Sequence, residues 1–152
     1  MIKGIKNLWK WKKVIWNDRW YDSYFLFKLL KFKLENMEYK FRKDGMHLNN
    51  GKDADKMKIC ILLLDRIIKD EYHDNIFRYH DKKWGEPELS WDEYDNENSI
   101  LNITHKNVLT EGDKKQENKE FRILSKRESK MKQNDVNYLF KLFSKYILMW
   151  WD

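Results

Sequence analysis

An all-α fold is what this sequence predicts: a four- to five-helix bundle with a central antiparallel αα-hairpin. Three observations carry it. Four separate stretches place apolar residues three and four apart, the repeat of a helix with one face on a core. No stretch shows a convincing strand alternation. Eight Trp, eight Tyr and eight Phe supply core material that disordered chains lack.

The stretch Ile2–Trp16 reads as a basic amphipathic helix, with Lys3, Lys6, Lys10 and Lys13 on one stripe and Ile2, Ile5, Leu8, Trp9, Trp11, Ile15 and Trp16 covering most of the rest. Asn17-Asp18 breaks it. Such a helix lies on an anionic surface or docks on a partner. The helix is expected to pack on the domain or on a second copy, burying Trp9 and Trp16, the second case giving a homodimer through this helix.

Trp20 to Asp44 forms the next helix, with Phe27, Leu30, Leu34, Met37 and Phe41 as its seam and Phe25, Leu29 and Phe32 as a second apolar strip. Gly45 ends it, and a short link over 45–52 returns the chain antiparallel. Asp53 caps the following helix, whose stripe is Met57, Ile61, Leu64, Ile68 and Tyr72. That helix runs on through Ile76, Phe77 and Tyr79 until Gly85 and Pro87 stop it. Residues 86–109 are acidic and lack a helical period, so they read as an ordered loop with a short extended piece around Ile100–Ile103. Thr110 with Asp113 resembles a capping box and starts a Lys/Glu-rich helix. Asn134 or Asp135 then caps a last helix, 135–150, with Val136, Leu139, Phe143, Ile147 and Trp150 on one stripe. Without a linker or internal repeat, residues 1–152 read as a single helical domain.

Composition excludes several classes. The longest apolar run is Ile59–Leu64, far short of the roughly 20 residues that span a bilayer. Lys10, Lys12 and Lys13 interrupt the apolar core a secretory signal needs. Cys60 is the only cysteine, which excludes an internal disulfide and a multi-cysteine zinc site and points to a reducing cytosol. Within Ile-Cys-Ile-Leu it reads as a buried, inert thiol. Five scattered glycines make no phosphate loop. A single alanine, Ala54, in a helical protein reflects AT-rich coding rather than folding. The net charge of +6 divides into basic ends and an acidic middle: +7 over 1–33, +1 over 34–83, −7 over 84–113 and +5 over 114–152. The ends pair with the middle, or they meet an anionic partner. Duplex nucleic acid is disfavoured, because the acidic middle repels it.

Chemistry concentrates around 78–91. Arg78, Lys82 and Lys83 suit phosphates, while Trp84, Trp91 and Tyr94 offer stacking faces and His80 a further polar contact. The plain alternative is that Trp84 staples a loose loop to the bundle. Asp70, His73, Asp74, Phe77, His80, Asp81 and Trp84 share a face if the helix continues, and Asp70 with His73 or Asp74 could chelate one ion. Otherwise they are polar residues of a helix end. His73 and His80 lie about 10 Å apart along a helix, too far to share a metal. No metal site is assigned on this reading.

Two hydrolase patterns can be laid over the chain. Glu35-x-x-Glu38 and Glu71-x-x-Asp74 resemble the paired acidic motifs of all-α nucleoside triphosphate pyrophosphohydrolases, in which carboxylates on two helices hold magnesium. The separation of the pairs exceeds the usual one, and Lys31–Glu35 and Glu38–Arg42 make ordinary helix pairs. His47, His73-Asp74 and Asp135 stand in the order of the histidine–aspartate phosphohydrolase ligands, a match close to chance. Catalysis is not the favoured reading.

The segments FKLLKFKLENMEYKFRK, DADKMKICILLLDRIIKDEYH, HDKKWGEPE and YLFKLFSKYILMWWD resemble a group of small tailed-bacteriophage proteins of unassigned function. That resemblance implies an accessory protein acting in a host bacterium's cytoplasm, one that binds and blocks. The expected function is therefore non-catalytic: sequestering an anionic nucleotide-type ligand, such as an immune signal, through Arg78, His80, Lys82, Lys83, Trp84 and Trp91. The alternatives are the magnesium-dependent pyrophosphohydrolase and an inhibitor that binds a host protein.

Overall fold

A computed structural model describes residues 2–16, 22–44, 49–93 and 99–150. Its elements are α1 (Ile2–Ile15), α2 (Ser23–Asp44), α3 (Asn50–Lys69), α4 (Tyr72–Trp84), β1 (Pro87–Glu93), β2 (Ser99–His105), α5 (Glu111–Tyr146) and a closing 3₁₀ turn, Ile147–Trp150. The fold is all-α with one small two-stranded sheet, in agreement with the class read from the sequence. The chain forms two compact units, Met1–Asp70 with Asn134–Asp152, and Glu71–Gln133. The expected start of α2 at Trp20, the Asn17-Asp18 break, the Gly45 cap, His47 and Tyr94 lie outside the described residues.

In the first unit, α2 and α3 form the predicted hairpin. Arg42 Nη2 meets Asp55 at 2.9 Å and Lys31 Nζ meets Asp65 at 2.5 Å, so one residue number falls as its partner's rises. That is an antiparallel pair. Leu34, Met57, Cys60, Ile61, Leu63, Leu64, Ile67, Leu139, Leu142, Phe143 and Trp150 make the buried cluster, with Phe27, Leu30, Met37, Phe41, Ile68 and Val136 packed against it. All five positions of the α2 seam are among these residues. Burial pushes the Cys60 thiol up to about 11, the inert cysteine expected. Asp65 lies below the usual carboxylate range, held first by Lys31 and then by Lys69.

Four sequence expectations need correction. Helix α3 begins at Asn50, so Asp53 is not the cap; it lies buried in the first turn, where a carboxylate complements the helix dipole, and accepts from Lys56 at 2.9 Å. The helix does not run on past 70: Asp70 adopts the left-handed conformation (φ 54°, ψ 40°), which aspartate tolerates better than most residues, and α4 starts afresh at Tyr72. Asp70 therefore does not continue the α4 face that carries His73 and His80. Asn134-Asp135 starts no new helix either. Helix α5 passes through it without a break, and the Asp135 carboxylate accepts two bonds from the Arg66 guanidinium, one of them 2.6 Å from Nε. Finally, residues 86–109 are not a loop throughout: β1 and β2 pair antiparallel from Pro87↔His105 to Glu93↔Ser99.

Helix α1 forms as predicted, but it touches α2 through Trp11, whose ring meets Phe32 edge-on at 5.0 Å. Trp9 and Trp16, expected to be buried, are 67% and 76% exposed within the chain, and Lys12 sits over both rings.

Candidate functional site

The second unit is built around α4, the hairpin and the first part of α5. Its described core is thin: Tyr72, Phe77 and Trp84 are the buried apolar side chains, joined by three buried polar ones, His80, His105 and Glu117. Phe77 holds this core as an aromatic cluster, stacked on His73 at 4.4 Å and packed on Phe121 at 5.3 Å.

Local chemistry explains how distant residues meet. Gly85 ends α4 with φ 83°, a conformation that disfavours any side chain, and a Cβ there would stand 3.1 Å from Lys106 Cβ. The chain turns at once into β1. At the far end of β2, Asn107 donates its backbone N–H to Trp84 O at 2.9 Å and its side-chain amide to Lys83 O at 3.2 Å. Both carbonyls are last-turn acceptors that α4 cannot satisfy itself. The same pair of bonds places His105, two residues earlier, beside His80. The Thr110–Asp113 capping box forms as predicted, with Asp113 N–H donating to Thr110 Oγ1 at 3.1 Å and Thr110 N–H to Asp113 Oδ2 at 2.9 Å. The Thr110 hydroxyl and backbone bonds hold the Asp113 carboxyl below its ordinary value. This fixes where α5 starts, and so where Glu117 stands.

Two features result. The first is an open groove of about 590 Å³ between α4 and α5, lined by Ile76, Tyr79, Lys83, Ile123, Arg127 and Met131 among others. Tyr79 is 81% exposed and Ile123 58%, so the lining shows a ring and apolar side chains together with Lys83, Arg127 and the Glu120 carboxylate. Ile123 also borders a shallower face carrying Lys114, Lys115, Lys119 and Arg122. Glu120, on the groove wall, accepts from Lys83 Nζ at 2.7 Å and from the Trp84 indole N–H at 2.8 Å. These two donors, Lys83 first, hold its carboxyl at about 2.

The second feature lies beneath the first. Glu117 Oε1 stands 3.2 Å from His105 Nδ1 and 3.4 Å from His80 Nε2. The three side chains sit on α5, at the end of β2 and on α4, and their ligand atoms all lie within 4.8 Å of one another. His80 Nδ1 and Nε2 and His105 Nδ1 are buried without a hydrogen bond.

The residues singled out from sequence are dispersed by this fold. Lys83 lines the groove, and His80 borders it from below with its side chain 1% exposed. Trp84 is buried, its indole committed to Glu120, and it anchors the end of α4. Arg78 and Lys82 are exposed, turned away from the buried face of α4. Trp91 is exposed on β1, opposite Leu101. Of the hydrolase set, Glu35 and Glu38 belong to the first unit, in reach of Lys31 and Arg42, while Glu71 and Asp74 begin α4 in the second.

Sequence reasoning missed His105, Glu117 and Arg127. Glu117 carried a signal: it continues the Phe121–Leu124 stripe of α5, and an acid on an apolar stripe is costly unless partnered. His105 carried none, because its place depends on the hairpin. Comparison of the chain with protein-family models, with curated proteins and with solved structures gives no match.

Proposed function

We propose that the protein acts by non-catalytic binding, taking up a small anionic, ring-bearing ligand of nucleotide type in the groove between α4 and α5. The observation that carries this reading is the groove's lining, which brings Lys83, Arg127 and the exposed Tyr79 ring together with apolar Ile76, Ile123 and Met131, Glu120 lining it as well and sharing Lys83. Cations suit phosphate oxygens, and a tyrosine face suits a base. The volume falls in the range of small-molecule sites. The basic face of Lys114, Lys115, Lys119 and Arg122 adds a field that draws anions toward it. Exposed Arg78 and Lys82 strengthen that field. In the setting implied by the resemblance to phage proteins, such a ligand is a nucleotide immune signal, and holding it is the counter-defence. A second copy would dock on the exposed Leu8, Trp9 and Trp16 of α1.

Calorimetry and native mass spectrometry against cyclic dinucleotides, cyclic oligonucleotides and ADP-ribose derivatives test the reading. One member of the panel binds, and Lys83→Ala or Arg127→Ala each weakens it by about 10-fold or more, the worth of a charge-assisted bond. No ligand bound from the panel, and none retained on purification, overturns the groove reading in favour of a host-protein partner.

A further inference from the structure

The buried cluster beneath the groove calls for an account of its own. Glu117 is nine-tenths buried, and so are His80 and His105. A buried carboxylate is costly unless an opposite charge reaches it. The two imidazole rings cross beside it at 4.9 Å. Three of their nitrogens, His80 Nδ1 and Nε2 and His105 Nδ1, have no partner in hydrogen-bond geometry, although Glu117 Oε1 is 3.2 Å from His105 Nδ1 and 3.4 Å from His80 Nε2.

We propose that His80, His105 and Glu117 together bind one divalent transition-metal ion of the zinc class. Two imidazole nitrogens and one carboxylate oxygen are a donor set that suits zinc, cobalt or nickel over magnesium or calcium. The spacing agrees. Bonds of about 2.0–2.1 Å in tetrahedral geometry set neighbouring ligand atoms about 3.3–3.4 Å apart. Glu117 Oε1 lies 3.4 Å from one nitrogen and 3.2 Å from the other, the two spacings that match, and the imidazole nitrogens lie within 4.8 Å of each other, so they close on the ion by a small ring movement. Neither close approach of Glu117 Oε1 to an imidazole nitrogen is a hydrogen bond.

The ion joins α4, β2 and α5 through side chains 25 and 12 positions apart in sequence, in a unit with few buried apolar side chains among the described residues. A small unit of this kind gains most from a metal staple. Three protein ligands leave a fourth position for water. Metal binding at this cluster does not depend on a nucleotide in the groove.

The test uses the full chain. Purified from zinc-supplemented medium, it retains about one zinc per chain by elemental analysis, as a buried site with three protein ligands should. After chelation, cobalt(II) restores the visible spectrum of tetrahedral coordination, and zinc displaces it. Zinc at a hundredfold over its Kd raises the melting temperature by roughly 10 °C. His105→Asn and Glu117→Gln each lower zinc affinity by more than about 100-fold, since loss of a ligand exceeds loss of an outer-shell partner. His73→Gln, at an exposed histidine, leaves affinity unchanged. Should the ligand variants fail to fold, the wild-type cobalt spectrum decides alone. A wild-type chain that retains no zinc and shows neither the spectrum nor the thermal shift overturns the proposal. Zinc binding that survives both ligand variants and disappears in His73→Gln does so equally.

Discussion

Replacing Glu120 by glutamine removes the charge that ties the end of α4 to α5 while keeping the side chain's size. Its carboxyl sits at about 2 instead of the ordinary 4.5 because Lys83 and the Trp84 indole both donate to the charged form. At 1.36 kcal/mol per pH unit that shift sets an upper bound of about 3 kcal/mol. The side chains of Glu120 and Lys83 are 34% and 46% exposed, so solvent screening lowers the contribution to about 1 kcal/mol. For a unit the size of Glu71–Gln133, that loss lowers the melting temperature by roughly 4–8 °C at pH 7. The folded value lies below the unfolded one. The stabilisation is therefore complete above about pH 4.5 and disappears as pH falls toward 2. Thermal melts of both proteins by circular dichroism, from pH 7 to pH 2.5, read the difference directly. The gap between wild type and Glu120→Gln should shrink across that window. A gap of equal size at pH 7 and pH 2.5, or none at pH 7, refutes the assignment of Glu120 as the charged anchor.

Other consequences follow from the same structure. Leu64→Ala, at a fully buried position of the first unit, should cost about 3 kcal/mol, seen as a lower urea midpoint with an unchanged slope. Cys60, buried with its thiol near 11, should stay silent to a thiol reagent at pH 8 until the protein unfolds; rapid reaction of the native protein contradicts its placement. Thr110→Ala, which removes one side of the capping box, should cost about 1 kcal/mol in the same denaturation assay. Substituting both Trp9 and Trp16 by alanine should leave the melting temperature of a monomer near its wild-type value, because neither ring is buried within the chain; a drop in mass by light scattering then reports a dimer made through α1.

The parts of the fold legible in sequence are those where one periodic signal decides the outcome. Phe27, Leu30, Leu34, Met37 and Phe41 mark α2's buried face because a helix with that spacing has one way to hide it. Thr110 and Asp113 fix the start of α5 by a bond that needs no tertiary context. The errors fall where tertiary structure overrides a local rule. Asp70 ends α3 without glycine or proline, so nothing in the spacing of Ile68, Tyr72 and Ile76 announces the break. Asn134-Asp135 has capping chemistry but sits mid-helix, its acid engaged by Arg66, 69 positions away. The hairpin did carry a weak alternation, with Leu89 and Trp91 pairing with Ile103 and Leu101, hidden by the surrounding acids. Of the site, Lys83 was within reach of sequence because it neighbours Trp84. His105 was not, since hydrogen bonds from Asn107 to the end of α4 put it beside His80.

The central claim, binding without turnover in the α4–α5 groove, is tested most directly by the chemical state of a released ligand. The protein is loaded with whichever nucleotide of the panel it binds, incubated with magnesium, heat-denatured, and the supernatant analysed by mass spectrometry. The groove reading predicts the ligand returned intact and in stoichiometric amount, with Lys83→Ala and Arg127→Ala returning less. A hydrolysed ligand, its cleavage abolished by Glu38→Gln or Asp74→Asn, contradicts that reading and supports the pyrophosphohydrolase instead.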